Sequence, residues 1–480
     1  MKFEKINTLY FTIALLILGL AKFYKIDSAS IWLDEAQSLT QAQKSISEIL
    51  TYTTKDQNAP LYFIMLHFWT GLFGNTEFSL RALSTLFSIL TAPLIFVFAR
   101  KYINLNTALF ASMLFAFSDI HLYYAQEARS FSFIGFSCVV SFLLFKSLHE
   151  NDKKVYLKIF LLSLVNSAMV YAHYISVFIA ISQFFIALIF IKTEKKFTKR
   201  IFLSCVLCVL LFLLWVGHII SNVPKEGVFW LSKPNFGSIK GIFISFSGNK
   251  VLTVIFMLIL IAGILKFIYQ YYKSELTEKQ NYILVILVTW TFLPIIATYL
   301  LSFVTPVFLI RYLLFSSIGM FLLIGYFISE LFENNYLKIS ITIPIFFLSI
   351  LTLNFGATKG ENWIAAVKKV KELKDMESDV LLSAYYTNDI FSYYYFGDDA
   401  IKSYADIDNQ LKKEKIYCVD KLDTTRFGEL STGPKLIVVQ SHQIDADPEN
   451  TVMKTVLINY SLKSSFDFEN VKVSLLERNQ

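Results

Sequence analysis

The sequence predicts a polytopic α-helical membrane protein that carries a small α/β domain at its C-terminal end, and three observations predict it. Of 480 residues, 55% are hydrophobic and 16% aromatic while only 17% are charged, a composition too apolar for a soluble enzyme. Apolar runs of the length a hydrocarbon core demands recur from the N-terminus to about Phe355. The loops between them concentrate Lys and Arg on alternate connections, as the orientation rule for membrane proteins requires.

In order, the runs fall at roughly 7–24, 79–99, 106–121, 130–147, 156–172, 174–191, 201–221, 250–269, 281–301, 308–328 and 338–355, about eleven in all. Lys2, Lys5, Arg100, Lys101, Lys146, Lys153, Lys154, the cluster from Lys192 to Arg200, Lys266, Lys273, Lys279 and Lys338 then share one side. That side is expected to be the cytoplasm, so the N-terminus is cytoplasmic and the tail beyond Phe355 lies outside, in a cell (inner) membrane. A signal peptide ending near Ser28-Ala29-Ser30 is the alternative reading of the first run. Cleavage there would leave the next motif on a frayed N-terminus, so an uncleaved anchor is expected.

That motif is Trp32-Leu33-Asp34-Glu35-Ala36, two adjacent carboxylates just past the first run. The loop from Lys25 to Phe78 also holds an apolar stretch from Ala59 to Trp69, too short to span, which predicts a helix at the outer interface with Pro60 in its first turn. A short or tilted true span is the competing reading. Residues 1–355 form the expected membrane domain and 356–480 the soluble one. In the latter, Glu361–Lys374 has the period of an amphipathic helix, and Asp379–Ser383 and Lys435–Gln440 read as strands. No glycine-rich phosphate loop occurs there.

The net charge of +7 resides largely in the cytoplasmic loops and reports orientation, so nucleic acid is not an expected partner. Cys205 and Cys208 have CxxC spacing inside an apolar run, where buried thiols are the ordinary reading and no zinc or disulfide is expected. Charged residues also stand at the outer ends of runs: Arg81, Glu127, Arg129 and Arg311. An arginine at a membrane edge can simply snorkel to headgroups. Several arginines together with carboxylates describe more: guanidinium forks suited to phosphate and a general base, a site for cleaving a phosphate ester of a lipid. Asp34 could instead cap an interfacial helix. His121 and His173 read as polar interface residues, since neither has a carboxylate or second histidine at metal-ligand spacing.

The succession Asp34-Glu35, Asn58-Ala59-Pro60-Leu61-Tyr62 with Leu80-Arg81, Tyr123-Tyr124-Ala125-Gln126-Glu127-Ala128-Arg129, Tyr171-Ala172-His173-Tyr174 and Arg311-Tyr312-Leu313 resembles the GT-C glycosyltransferases of the dolichyl-phosphate-mannose protein mannosyltransferase type. That group includes the lipid A aminoarabinose transferases. Glu361-Asn362-Trp363 and the strand at Asp379-Val380 resemble the start of the soluble domain in bacterial members. The resemblance implies a polyprenyl-phosphate-sugar donor, a lipid, glycan or protein acceptor reached from the extracytoplasmic face, and inversion at the anomeric carbon. It implies catalytic roles for Asp34 and Glu35, donor-phosphate binding by Arg81, Arg129 and Arg311, and substrate binding by Glu127, Tyr124, His173 and Tyr312. A divalent ion, if one takes part, would fall to Asp34 and Glu127; no other cofactor is implied. Many members have His-Pro-Pro or Lys-Pro-Pro where this chain has Asn58-Ala59-Pro60, so a basic side chain at that corner is absent. A transporter or flippase of polyprenyl-linked sugars is the rival reading. It predicts polar residues or broken helices near mid-bilayer, whereas here the charge gathers at one face.

Overall fold

A computed structural model of the chain describes residues 2–55, 58–150, 152–222, 232–397, 407–422, 427, 430 and 433–479. It divides into two compact units, one comprising Met1–Tyr24, Ser47–Tyr62 and Arg81–Phe355, the other Lys25–Ile46, Phe63–Leu80 and Gly356–Gln480.

The first unit is a helical membrane bundle. Among the described residues six helices are long and apolar enough to cross a bilayer: Glu77–Tyr102, Phe131–Glu150, Val155–Ala172, Lys250–Tyr272, Glu278–Leu301 and Ile310–Leu331. A bent pair, Leu105–Ala116 and Asp119–Ala125, makes a seventh if it is one span. Several other expected runs form shorter apolar helices, including Thr8–Phe23, Tyr174–Ile189 and Asn335–Leu351, so a count of eleven is not established. The helix Phe236–Ser247 was not expected from the sequence; Asn235 and Ser238 close its first turn with a reciprocal capping box.

Polar side chains fasten apolar helices to one another, as they do where water is excluded. Ser141 donates to Asn166 Oδ1 (2.6 Å), Asn166 to Gln183 Oε1 (3.0 Å) and Gln183 to Ser141 Oγ (2.6 Å), a closed ring of bonds across three helices. Trp290 stacks on Phe142 with centroids 3.8 Å apart and donates its indole N–H to the Phe315 carbonyl (3.0 Å). The run expected at 106–121 is broken by 54° between Ala116 and Asp119. The break is stabilised from the Asn335–Leu351 helix and the segment after it: Ser349 donates to the Phe117 carbonyl (2.8 Å) and the Asn354 N–H to Asp119 Oδ1 (2.9 Å).

Among the described residues the second unit is built on five strands, β1 (Ser378–Ser383), β2 (Ile416–Val419), β3 (Lys435–Gln440), β4 (Tyr460–Phe468) and β5 (Val471–Arg478). They form one sheet of order β2-β1-β3-β5-β4. β1 lies parallel to β2 and β3, with Val380 opposite Ile416 and Ile437, while β5 runs antiparallel to β3 and β4. The core gathers Leu381, Leu436, Val438, Val452, Val456 and Leu476, all fully buried. The amphipathic helix expected at 361–374 is Trp363–Leu373, capped by the Asn362 side chain, and it buries Trp363, Ala366, Val367 and Val370 at the i, i+3, i+4, i+7 spacing of a one-sided helix. The short apolar helix expected near Pro60 is Leu61–Phe73.

Candidate active-site residues

In the first unit the turn between Ala125 and Ser130 carries Glu127 and Arg129, and side chains from two directions hold it. Ser84 donates to the Arg129 carbonyl (2.9 Å) and Thr85 to the Ala125 carbonyl (2.8 Å), both from the helix Glu77–Tyr102. Gln126 donates to the carbonyls of Lys22 and Tyr24, each at 2.9 Å. The Arg129 N–H closes the turn on the Glu127 carbonyl (2.8 Å). Glu127 is fully buried, and so is Arg81 at the opening of the Glu77–Tyr102 helix.

Arg311 sits in the single 3-10 turn Ile310–Leu313 that leads into the buried helix Leu314–Leu331. Its guanidinium lies over the Tyr312 ring, 5.7 Å from the centroid. Tyr312 in turn packs on His173 at 4.3 Å, and Phe131 lies 6.0 Å from His173 and 5.3 Å from Tyr124. His173 follows the end of the Val155–Ala172 helix, and its Nδ1 accepts the Ile175 N–H (3.3 Å), which leaves Nε2 as the N–H donor of a neutral ring. The surrounding protein, then Arg129, then Arg311 push its pKa down, so the ring stays uncharged at neutral pH. The fold therefore brings together Arg129, Arg311, His173, Tyr312 and Tyr124, drawn from three separate stretches of sequence. The set combines two guanidiniums, a neutral imidazole and flat aromatic faces, which is chemistry for an anionic group attached to an apolar or sugar moiety.

Asp34 and Glu35 belong to the second unit. They occupy the first turn of the helix Leu33–Ala42, where a carboxylate is favoured by the exposed N–H groups and the helix dipole. Trp32, not Asp34, takes the N-cap position. Glu35 is fully buried whereas Asp34 is half-buried, so of the two Asp34 is the one a substrate can reach.

The segment bearing them is held by hydrogen bonds to Glu361, which the family resemblance marks, and to Tyr394 and Asp389, which no motif marks. Ser30 donates to the Glu361 carbonyl (2.6 Å), Tyr394 accepts the Ile31 N–H (2.7 Å), and Thr40 donates to Asp389 Oδ2 (2.8 Å). One oxygen of the Glu361 carboxylate accepts the Trp363 indole N–H (2.6 Å), and the other lies 2.8 Å from His442 Nε2. That carboxylate raises the pKa of His442, with smaller contributions in the same direction from Asp445 and Asp34, which puts Asp34 within electrostatic range of the imidazolium. Burial raises the pKa of Asp389. Apart from Glu361 and Trp363, which are two residues apart, the partners lie far from one another in the chain, so no local spacing reveals them.

Among the described residues no three His, Cys, Asp or Glu side chains gather in a group able to hold a metal ion, and the two carboxylates considered for that role, Asp34 and Glu127, belong to different units.

The model of the family described as dolichyl-phosphate-mannose-protein mannosyltransferase matches residues 57–218. Among solved structures, that of ArnT from Cupriavidus metallidurans in the apo state is 9% identical, with a TM-score of 0.62 and coverage of 98% of both chains. The same protein bound to undecaprenyl phosphate matches with the same score and identity over 97% of each chain. The apo oligosaccharyltransferase of Archaeoglobus fulgidus matches at a TM-score of 0.50 and 12% identity, over 91% of this chain and 70% of that one. No curated protein sequence matches the chain. The chain has the fold of ArnT along its length, and its long apolar helices make it a multi-pass membrane protein.

Proposed function

We propose that this chain is a membrane glycosyltransferase that moves a sugar from a polyprenyl-phosphate carrier to a lipid, glycan or protein acceptor at the extracytoplasmic face of the cell membrane, with inversion at the anomeric carbon. The observation that carries the reading is the pairing of Arg129 and Arg311 around the neutral His173 and the Tyr312 ring, in a fold shared with a protein solved with undecaprenyl phosphate.

The chemistry follows from charge. As the acceptor hydroxyl attacks the anomeric carbon, its proton passes to the Asp34 carboxylate, and the bond from that carbon to the phosphate oxygen breaks on the opposite face. The departing polyprenyl phosphate keeps the electron pair. Arg129 and Arg311 stabilise the negative charge that grows on it, and the buried Arg81 adds to the local positive potential. The His173 Nε2–H is a donor that does not gain charge across the neutral range, while Tyr124 and Tyr312 supply faces for the sugar or the first isoprene. Glu127 and Glu35 are both fully buried, so each acts from behind the neighbour that faces substrate, Arg129 and Asp34 respectively. The described carboxylates and histidines do not assemble a metal set, so no step is assigned to an ion.

Purified protein in liposomes, incubated with a panel of radiolabelled polyprenyl-phosphate sugars, tests the proposal. Transfer to an acceptor or slow donor hydrolysis is the expected result. Donors left intact and moved between leaflets would replace the transferase with a transporter.

A further inference from the structure

The parallel strands of the second unit are ordered β2-β1-β3, so the chain leaves β1 to pair on one side with β2 and returns to pair on the other side with β3. Where strand order reverses in this way, the connections diverge beyond the carboxyl ends and a crevice opens between them, the usual place for a ligand on an open α/β sheet. A cavity of about 530 Å³ is found there. Tyr385 and Tyr386 enter it from beyond β1, Asp420 and Lys421 from beyond β2, and Asp445 from beyond β3. Its volume falls within the range of about 300–1,000 Å³ usual for small-molecule sites. Two residues at its margins, Ala384 (φ 52°) and His442 (φ 50°), hold positive-φ backbone conformations that L-residues rarely adopt.

The lining selects a ligand class. Tyr385 is 44% exposed, and its hydroxyl is committed to Asp408, so the face of the ring is what it offers. Asp420 accepts the Tyr385 N–H (2.8 Å), which fixes the direction of its carboxylate. Two carboxylates against one lysine leave the crevice net negative, which repels a phosphorylated ligand and suits a donor of hydroxyl hydrogen bonds. Aromatic faces beside carboxylate acceptors match the two sides of a pyranose, its apolar C–H face and its hydroxyl rim. The Tyr386 ring lies 5.7 Å from that of His442, the imidazole within electrostatic range of Asp34.

Resting on the reading of the chain as a glycosyltransferase, we propose that this crevice is an acceptor subsite and that the acceptor is a neutral glycan, one saccharide unit of which lies on Tyr385 and Tyr386 with its hydroxyls on Asp420 and Asp445. The acceptor is thereby held by the same unit that carries the proposed base.

Full-length protein in nanodiscs is titrated with maltose, α-mannobiose, N,N′-diacetylchitobiose and glucose 6-phosphate, and binding is followed by saturation-transfer NMR. At least one neutral disaccharide is expected to bind, and more tightly than the phosphorylated sugar. Asp445→Asn, an exposed and isosteric change, is expected to weaken that binding about tenfold, and Tyr385→Ala at least as much, provided its thermal unfolding matches wild type. Absence of binding by all three disaccharides, tighter binding of glucose 6-phosphate, or wild-type affinity in Asp445→Asn would overturn the subsite. Donor turnover by the wild-type protein, assayed in the same preparation without added saccharide, reports separately on the transferase reading.

Discussion

The Nε2 atom of His442 lies 2.8 Å from Oε1 of Glu361, while the backbone carbonyl of the same glutamate accepts the hydroxyl of Ser30, four residues before Asp34. One residue thus links the end of β3 to the segment that presents the candidate base. Because Glu361 raises the pKa of His442, the folded state holds the imidazole proton more tightly than the unfolded chain, whose histidine titrates near 6.5. The pair's contribution is complete below pH about 6.5 and is lost as pH rises through the higher folded value. Thermal unfolding followed from pH 5 to 9 should show this decline in wild type and a flatter profile in Glu361→Gln. Parallel profiles would leave the pair without a role in stability.

The arginine pair predicts a defect that charge alone does not repair. Arg129→Lys and Arg311→Lys keep a cation but lose the planar fork, so donor use should fall by about tenfold to a hundredfold, the worth of one charge-assisted hydrogen bond. The corresponding alanine variants should be worse. Steady-state kinetics against donor concentration in folded protein will measure this, and wild-type rates in all four variants would assign the arginines to membrane anchoring.

Close approach of two spans sets a packing prediction. A Cβ on Gly263 would lie 2.3 Å from carbons of the Phe327 ring. Gly263→Ala should therefore destabilise the bundle by about 1–3 kcal/mol, and Phe327→Leu in the same chain should restore part of the loss. The unfolding midpoint in detergent reads both, and an unchanged midpoint in Gly263→Ala would refute the close contact.

Orientation is tested on the β4–β5 hairpin. If the second unit faces away from the cytoplasm, Lys463→Cys in intact spheroplasts should react with a membrane-impermeant maleimide. The background from Cys138, Cys205, Cys208 and Cys418 is expected to be low, as each is buried or half-buried. Labelling only after lysis would reverse the topology.

The long spans of the bundle and two of the five strands were legible because their signals are local. Apolar length gave the long spans, the i, i+3, i+4 pattern gave Trp363–Leu373, and short apolar runs between turn residues gave β1 and β3. β4 was not legible, since most of its residues are exposed or half-exposed and Tyr460 alone is buried. The break near Phe117 has no Pro or Gly to announce it and depends on bonds from Ser349 and Asn354. Arg129, Arg311 and His173 could be singled out by their charge and the family resemblance, but the approach of both arginines to His173 is a product of the fold. His442 gave no signal of its own, because its role comes from Glu361, 81 residues earlier in the chain.

In the proposed sugar transfer from a polyprenyl phosphate, Asp34 takes the acceptor proton. Turnover of a labelled polyprenyl-phosphate sugar by Asp34→Asn, measured beside wild type and with donor binding determined on the same protein, tests it most directly. A fall of about 10²-fold or more in turnover is expected with donor affinity nearly unchanged, because the carboxylate is needed mainly in the transition state. Near-normal turnover in Asp34→Asn would contradict it.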